Sequence, residues 1–326
     1  MHIAVTGANG HLGAALCRQL LEDGHNVRTM VYRKDTALRG LPVNIVRGSL
    51  QDAGSLRLLF KDAEVVYHLA GQISIGAVSK EHLWRTNVHG VERVLEACAA
   101  TGVRRLVHFS SIHAFKPVPR NRVFDESAAP ATDFPYERSK AAAQKKVLDF
   151  NGTGGLETIS LNPTGVLGPW DYKPSLQGQM VLDLLHRRIP ALTPGGFDWV
   201  DSRDVARAAS AAMSQGRSGE AYIVSGRYAS MTDLAAMLGK ISGRPMPRLT
   251  LPFWFLKPLA PVLAGWSAAT GRRVLFTREA LSHVEKGHPN VSHAKASREL
   301  GYQPRPLEET LFDTFTWLLQ HIQNGK

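Results

Sequence analysis

The chain has 326 residues, 44% of them apolar and 21% charged, a composition that builds one large or two fused globular units with a sizeable core. It excludes a disordered tail, a disulfide-stapled miniature and a collagen-like repeat. With 39 Lys and Arg against 28 Asp and Glu, the formal charge is +11, which favours an anionic partner such as nucleic acid, a membrane surface or a phosphorylated ligand.

In chain order, Ile3–Val5, Val27–Tyr32, Val43–Arg47, Val65–Leu69, Leu106–Phe109 and Thr158–Leu161 read as strands. Helical patterns lie between them near Leu12–Leu21, Ser55–Phe60, Asn87–Ala99 and Tyr136–Phe150. Strands alternating with helices predict βαβ units and a doubly wound parallel sheet, the α/β class. The strands are apolar throughout, as helices on both faces require. Past residue 165 the chain turns irregular and richer in proline and glycine. A helix capped near Asp204 and a strand over Ala221–Ser225 stand out there. The opening MHIAVTG is itself strand-like and leaves no room for a signal peptide. No 18-residue apolar run lacks a charge or a prolyl break, and Cys17 and Cys98 sit in helical patterns as small core residues. The expectation is a cytoplasmic, soluble protein.

Charge is spread evenly: 20 basic and 14 acidic residues in 1–150, and 19 and 14 in 151–326. No Lys/Arg block of nucleic-acid type occurs, so nucleic acid is not an expected partner.

The first strand runs into Thr6-Gly7-Ala8-Asn9-Gly10-His11-Leu12-Gly13, which opens a helix. Glycines at 7, 10 and 13 suit a sharp turn, the approach of a pyrophosphate and close helix–strand packing. Backbone N–H groups and the helix dipole then hold the phosphate charge. A Rossmann unit is therefore expected over 1–165, with a smaller substrate lobe over 166–326 and about 200–226 returning to the first. The second strand ends Met30-Val31-Tyr32-Arg33-Lys34-Asp35. An acid here would bind a ribose 2′-hydroxyl, whereas bases accommodate a 2′-phosphate. Arg33 and Lys34 therefore favour NADP(H), with NAD(H) as the alternative; an Arg-Lys pair also suits a plain solvated loop. No metal is expected.

Tyr136-Glu137-Arg138-Ser139-Lys140 opens another helix, with Asp133 as the expected N-cap and Pro135 in the first turn. Tyr136 and Lys140, four residues apart, share a face. A nearby ammonium should favour the phenolate, making Tyr136 a candidate acid/base. Ser110 and Ser111 end the preceding strand, where a hydroxyl can hold a substrate oxygen.

With TGANGHLG, HLAG (68–71), NVHG (87–90), FSSIHAF (109–115), YERSK (136–140), NPTGVLGP (162–169) and WVDSRDVA (199–206), the chain resembles the extended short-chain dehydrogenase/reductase family from Met1 to about Leu319. The resemblance implies that Ser111 and Tyr136 are catalytic and that Lys140 bonds the nicotinamide ribose while tuning the tyrosine. It implies cofactor contacts along Gly7, Asn9, Gly10, His11, Leu12 and Gly13. Ser49 and Leu50 would lie at the adenine, with Ser49 where the family has Asp. Leu69, Ala70, Gly71 and Asn87 would lie along the cofactor, and Pro163, Thr164, Gly165 and Val166 near the nicotinamide amide. Relatives often dimerise through two helices per subunit, so monomer and homodimer both stand.

Within the family the chain is most similar to the dihydroflavonol reductase-like and 3β-hydroxysteroid dehydrogenase-like branch. That implies hydride transfer between NADP(H) and a ketone, aldehyde or alcohol. A nucleoside-diphosphate-sugar epimerase or dehydratase is the alternative, since Arg187, Arg188, Arg203, Arg272 and Arg273 could meet a pyrophosphate. A non-catalytic NADP-binding regulator is a third, disfavoured because Tyr136 and Lys140 are both present. Gln72, Ile73, His113, Asn162, Trp170, Asp171, Tyr172 and Trp199 are weaker pocket candidates.

Between Asp233 and Glu279 no acid occurs, yet there are seven bases. Leu251–Arg273 adds apolar bulk, with Phe255, Leu259, Val262, Leu263 and Trp266 at helical spacing. Pro258 and Pro261 should confine the helix to their C-terminal side. A lobe helix packed over the substrate pocket is the favoured reading, and an interfacial helix on anionic lipid the alternative.

Overall fold

The computed structural model describes residues 1–73, 79–260 and 278–322. Seven parallel strands form the main sheet in the order β3-β2-β1-β4-β5-β6-β9: β1 (His2–Thr6), β2 (Asn26–Val31), β3 (Asn44–Arg47), β4 (Val65–His68), β5 (Arg105–Phe109), β6 (Glu157–Pro163) and β9 (Glu220–Val224). Residues of β4 and β5 are buried along their whole length, because helices cover both faces. Ala15, Leu16 and Leu20 of α1 (His11–Glu22) pack with Val205, Ala208 and Ala209 of α7 (Ser202–Ala212) on one face. On the other, Leu56 and Leu59 of α2 (Ala53–Phe60), Val91 and Val94 of α4 (Gly90–Ala100), and Ala143 and Val147 of α5 (Pro135–Asp149) close the second core. The short α3 (Lys80–Trp84) enters α4 through a π-helical turn at Arg85–His89. The strand order reverses between β1 and β4, and that switch point opens a crevice at their C-terminal ends.

A three-stranded sheet, β10-β8-β7, lies in the C-terminal half: β7 (Gly165–Leu167), β8 (Gly196–Asp201) and β10 (Arg227–Ser230). The periodicity missed these strands, which are short and interrupted by glycine. They share a core with α6 (Leu176–Leu185), α8 (Met231–Ser242) and α11 (Leu307–Ile322). Completing the chain are α9 (Arg278–Lys286) and α10 (Ala294–Leu300).

Two expected caps are corrected. Helix α5 is capped at Phe134, whose N–H donates to Glu137 Oε2 at 3.2 Å; Asp133 instead pairs with Lys286 at 2.7 Å. Helix α7 is capped by Asp201, which accepts from Arg203 N–H at 2.8 Å. Asp204 is already helical and accepts from the Arg305 N–H at 2.7 Å. In both cases a long-range cation claims the carboxylate nearest the expected cap position.

Residues 253–260 are helical, so helix forms on the N-terminal side of Pro258 as well. The turns start at Pro252, whose carbonyl accepts from Phe255 and Leu256, and the proline forgoes one bond in the second turn. Leu256 and Ala260 are buried against Leu281, while Trp254 is 75% exposed. Val262, Leu263, Trp266, Arg272 and Arg273 lie outside the described residues. Among those described, no helix is long and apolar enough to cross a membrane.

In the sheet interior the rings of His68 and His108 stack with centroids 5.4 Å apart, and His68 Nδ1 shares a 2.7 Å hydrogen bond with Thr6 Oγ1. Burial pushes the His68 imidazole down to about 3 and His108 well below its usual value, with the Lys140 charge adding to both. Both therefore stay neutral in the fold at a pH where an unfolded histidine, with a value of about 6.5, takes a proton. Their contribution to stability is full above that value and is lost as pH falls through it, by up to about 1.4 kcal/mol per pH unit for each ring. The urea midpoint is expected to drop steeply between about pH 7 and about pH 5, and His108→Gln to shallow the slope. A slope unchanged by that substitution would contradict the linkage.

Candidate active site

The crevice leads into a cavity of about 540 Å³. Its floor is the turn after β1. Gly7 has φ +74°, and a Cβ there would stand 2.5 Å from Ala70 N; a Cβ on Gly13 would stand 2.3 Å from Gly7 O. Both glycines are thus demanded by the backbone packing of the turn. At Gly10 the nearest atom to an added Cβ is Gly7 O at 3.3 Å. Gly10 caps α1 without a side-chain bond, and Gly10, His11, Leu12 and Gly13 at the start of this 12-residue helix line the cavity. That arrangement suits an anionic phosphate.

His11, Leu12, Leu69, Gly71, Gln72 and Ile73 also line the cavity. His11 is tied by Nε2 to Pro169 O at 3.0 Å. Asn9 and Ala70 stand behind the lining: Asn9 Oδ1 accepts from Ala37 N–H at 2.9 Å, and Ala70 N–H donates to Thr6 Oγ1 at 3.4 Å. Asn87, in the π-helical turn, is nearly buried. Its amide brackets the Gln72 backbone at 2.7 and 2.9 Å and donates to Ser139 Oγ at 3.0 Å. It holds the end of β4 against α5 from outside the lining.

Arg33 and Lys34 are exposed past the end of β2, with the Arg33 guanidinium 5.0 Å from the Tyr32 ring. The one acid beside them, Asp35, is occupied by Arg47 at 2.9 Å and Arg39 at 3.9 Å. Ser49 and Leu50 follow β3; Ser49 Oγ accepts from Gln51 N–H at 3.2 Å, and Leu50 is buried.

Ser111, Tyr136 and Lys140 are brought together on the wall. Ser111 ends β5's extension and accepts from His113 N–H at 3.2 Å. Behind it, Asn162 donates to Ser111 O at 2.8 Å and to Gln144 Oε1 at 2.6 Å, so Asn162 braces the serine from outside the cavity lining. Tyr136 is the second residue of α5 and lines the same wall as Ser111. One turn later, Lys140 Nζ donates to Phe109 O at 2.8 Å.

Burial pushes the Tyr136 phenol up to about 12, against a smaller lowering from Ser111, and pushes the Lys140 ammonium down to about 8. The expected lowering of the phenol is therefore reversed. Both groups are withdrawn from water, and that penalty exceeds the field of an ammonium turned to a backbone carbonyl.

Pro163, Thr164, Gly165, Val166, Asp171 and Trp199 line the cavity. Thr164 donates to Asp198 at 2.7 Å, and the Trp199 indole to Ala229 O at 3.2 Å. Trp170 and Tyr172 do not line it. The Arg18 guanidinium lies over both rings, at 5.0 and 5.8 Å, and donates to the Tyr172 hydroxyl at 3.1 Å. Sequence reasoning missed Glu137, Glu279 and His283, which join His113 on the wall. Glu137 carried a signal in its place three residues after a helix cap. His283 carried none.

Residues 3–225 match the model of the NAD dependent epimerase/dehydratase family. Sterol demethylase protein B of Methylococcus capsulatus is 34% identical over 97% of this chain and 98% of its own. A putative dihydroflavonol 4-reductase of Synechocystis is 31% identical over 97% and 94%. The crystal structure of gox2253 superposes with a TM-score of 0.85 at 30% identity, covering 98% of each chain. This chain belongs to the NAD dependent epimerase/dehydratase family, within its extended short-chain dehydrogenase/reductase branch.

Proposed function

We propose that the chain is an NADP(H)-dependent reductase of a ketone or aldehyde, with Ser111, Tyr136 and Lys140 as its reacting set. One observation carries this reading. Ser111, Tyr136 and Lys140 share one wall of a cavity whose lining, among the described residues, holds no arginine for a sugar nucleotide's diphosphate. Arg188 is taken by Asp183 at 3.5 Å and Arg203 by Asp201 and Asp313 at 2.7 and 2.6 Å.

In this reading residues 1–165 bind the dinucleotide and the lobe over 166–326 shapes the substrate end. The α1 N-terminus and Gly10 receive the pyrophosphate. Arg33 and Lys34 meet the 2′-phosphate, and Asp35, the acid beside them, is drawn to Arg47 at 2.9 Å. The nicotinamide supplies the hydride. Ser111 holds the substrate oxygen, and Tyr136, a neutral phenol at working pH, donates its proton to that oxygen as charge develops there. Lys140 lies one turn away, its burial making the ammonium easier to discharge as the phenol is restored.

The test is a panel of aldehydes, ketones and UDP- or GDP-sugars, each run with NADPH and NADH, on the wild type and an Arg33→Ala/Lys34→Ala chain. NADPH oxidation with a carbonyl substrate is expected, and the double substitution should weaken NADPH at least about tenfold, the effect of losing about 1.4 kcal/mol of phosphate pairing, while sparing NADH. Equal losses with both cofactors would overturn the NADP assignment. Turnover of a sugar nucleotide without net NADPH consumption would overturn the reaction.

A further inference from the structure

Beside Tyr136 the wall carries a polar cluster that the reduction does not use. Glu137, 3% exposed in the first turn of α5, bonds His283 Nε2 through Oε1 at 3.0 Å, while Phe134 N–H holds Oε2 at 3.2 Å. The His283 ring, carried on α9, lies 4.2 Å from that of His113. One donor atom from each of His113, Glu137 and His283 lies within 4.8 Å of the others. One turn before His283 on the same helix, Glu279 has an oxygen that is buried without a hydrogen-bond partner. The Lys286 ammonium of that helix is spent on Asp133 at 2.7 Å.

We propose that His113, Glu137 and His283 bind a divalent ion of the zinc class, with the open coordination position facing the substrate cavity and Glu279 as the neighbouring carboxylate that favours a cation there. Two imidazoles and one carboxylate are a donor set that zinc-class ions take with a position left open. Bonds of about 2.0–2.2 Å place such donors about 3.3 Å apart, so each needs to move by less than about 1 Å. The donors are already oriented by what surrounds them. The Phe134 N–H aims the carboxylate, the Phe134 ring stands edge-on to His283 at 5.6 Å, and the Tyr136 ring stands edge-on to His113 at 6.2 Å. The Phe134 N–H is a hydrogen-bonded outer partner of the kind that holds a ligating carboxylate in place. A dication also offsets two carboxylates that share a poorly hydrated wall. None of this depends on the proposed reduction, and its readout is binding.

The experiment uses untagged, chelator-treated full-length chain, titrated with Zn²⁺ against a chromophoric chelator and with Co²⁺ by ligand-field absorption. One equivalent should bind, with a Co²⁺ spectrum of four- or five-coordinate type. His113→Asn, His283→Gln and Glu137→Gln should each weaken Zn²⁺ by about tenfold or more, and His2→Gln should not. No saturable equivalent, or affinity unchanged in both His113 and His283 variants, overturns the site. If a histidine variant does not fold by circular dichroism, the wild-type and Glu137→Gln Co²⁺ spectra decide. Loss of a four- or five-coordinate band in Glu137→Gln supports the site; a six-coordinate, aquo-like spectrum in the wild type overturns it.

Discussion

Replacing Tyr136 with phenylalanine is expected to lower kcat by about 10²–10⁴-fold, the usual worth of a positioned acid/base, while dinucleotide affinity stays within a few fold. The ring itself is packing: it is buried, stands on α5 beside His113 and is fixed by the backbone of the first helical turn. Phenylalanine keeps all of that. What it removes is one hydroxyl, on the wall it shares with Ser111. The proton that a reduced carbonyl oxygen needs must then come from water, and the wall around Ser111 admits little. Ser111 is 8% and Lys140 9% exposed. NADPH oxidation on a carbonyl substrate from the panel, beside a fluorescence titration of NADPH, measures both halves. A variant retaining more than a tenth of wild-type kcat would remove Tyr136 from the chemistry.

The substitution Gly7→Ala should unfold part of the dinucleotide site. At φ +74° an alanine pays about 1–2 kcal/mol for the left-handed conformation. Its Cβ would also stand 2.5 Å from Ala70 N and 2.7 Å from Leu69 C. Those are backbone atoms at the end of β4 and cannot swing aside, so relief requires β1 and β4 to part, at a further cost of about 1–3 kcal/mol. The crevice between those two strand ends is where the α1 N-terminus faces the cavity. The expected result is a loss of about 2–5 kcal/mol in urea unfolding, with NADPH affinity down at least about 100-fold, equivalent to about 2.7 kcal/mol. Gly24→Ala supplies the comparison, because Gly24 has φ +78° and nothing within 4 Å of an added Cβ. It should lose only the conformational part, about 1–2 kcal/mol, and bind NADPH normally. Identical behaviour of the two variants would show that the close contact at Gly7 does not shape the site.

Much of the main sheet was legible from the chain. Its six early strands alternate with helices, and the glycine turn, Tyr136 and Lys140 all stand within a few residues of the element that positions them. Strand burial, helical periodicity and the demand for positive φ at Gly7 are local physics, and local pattern carries them. What pattern could not carry is which side chain answers which across the fold. Asp133 has the composition of a cap and serves Lys286, 153 residues away. Trp170 and Tyr172 have the look of pocket walls and instead contact Arg18 of the first helix. His283 reaches Glu137 across 146 residues. Such pairings follow from how the lobe packs against the crevice, and for a buried group such as Glu137 burial is tolerated only beside a partner; that packing is collective and leaves no periodic trace in the sequence.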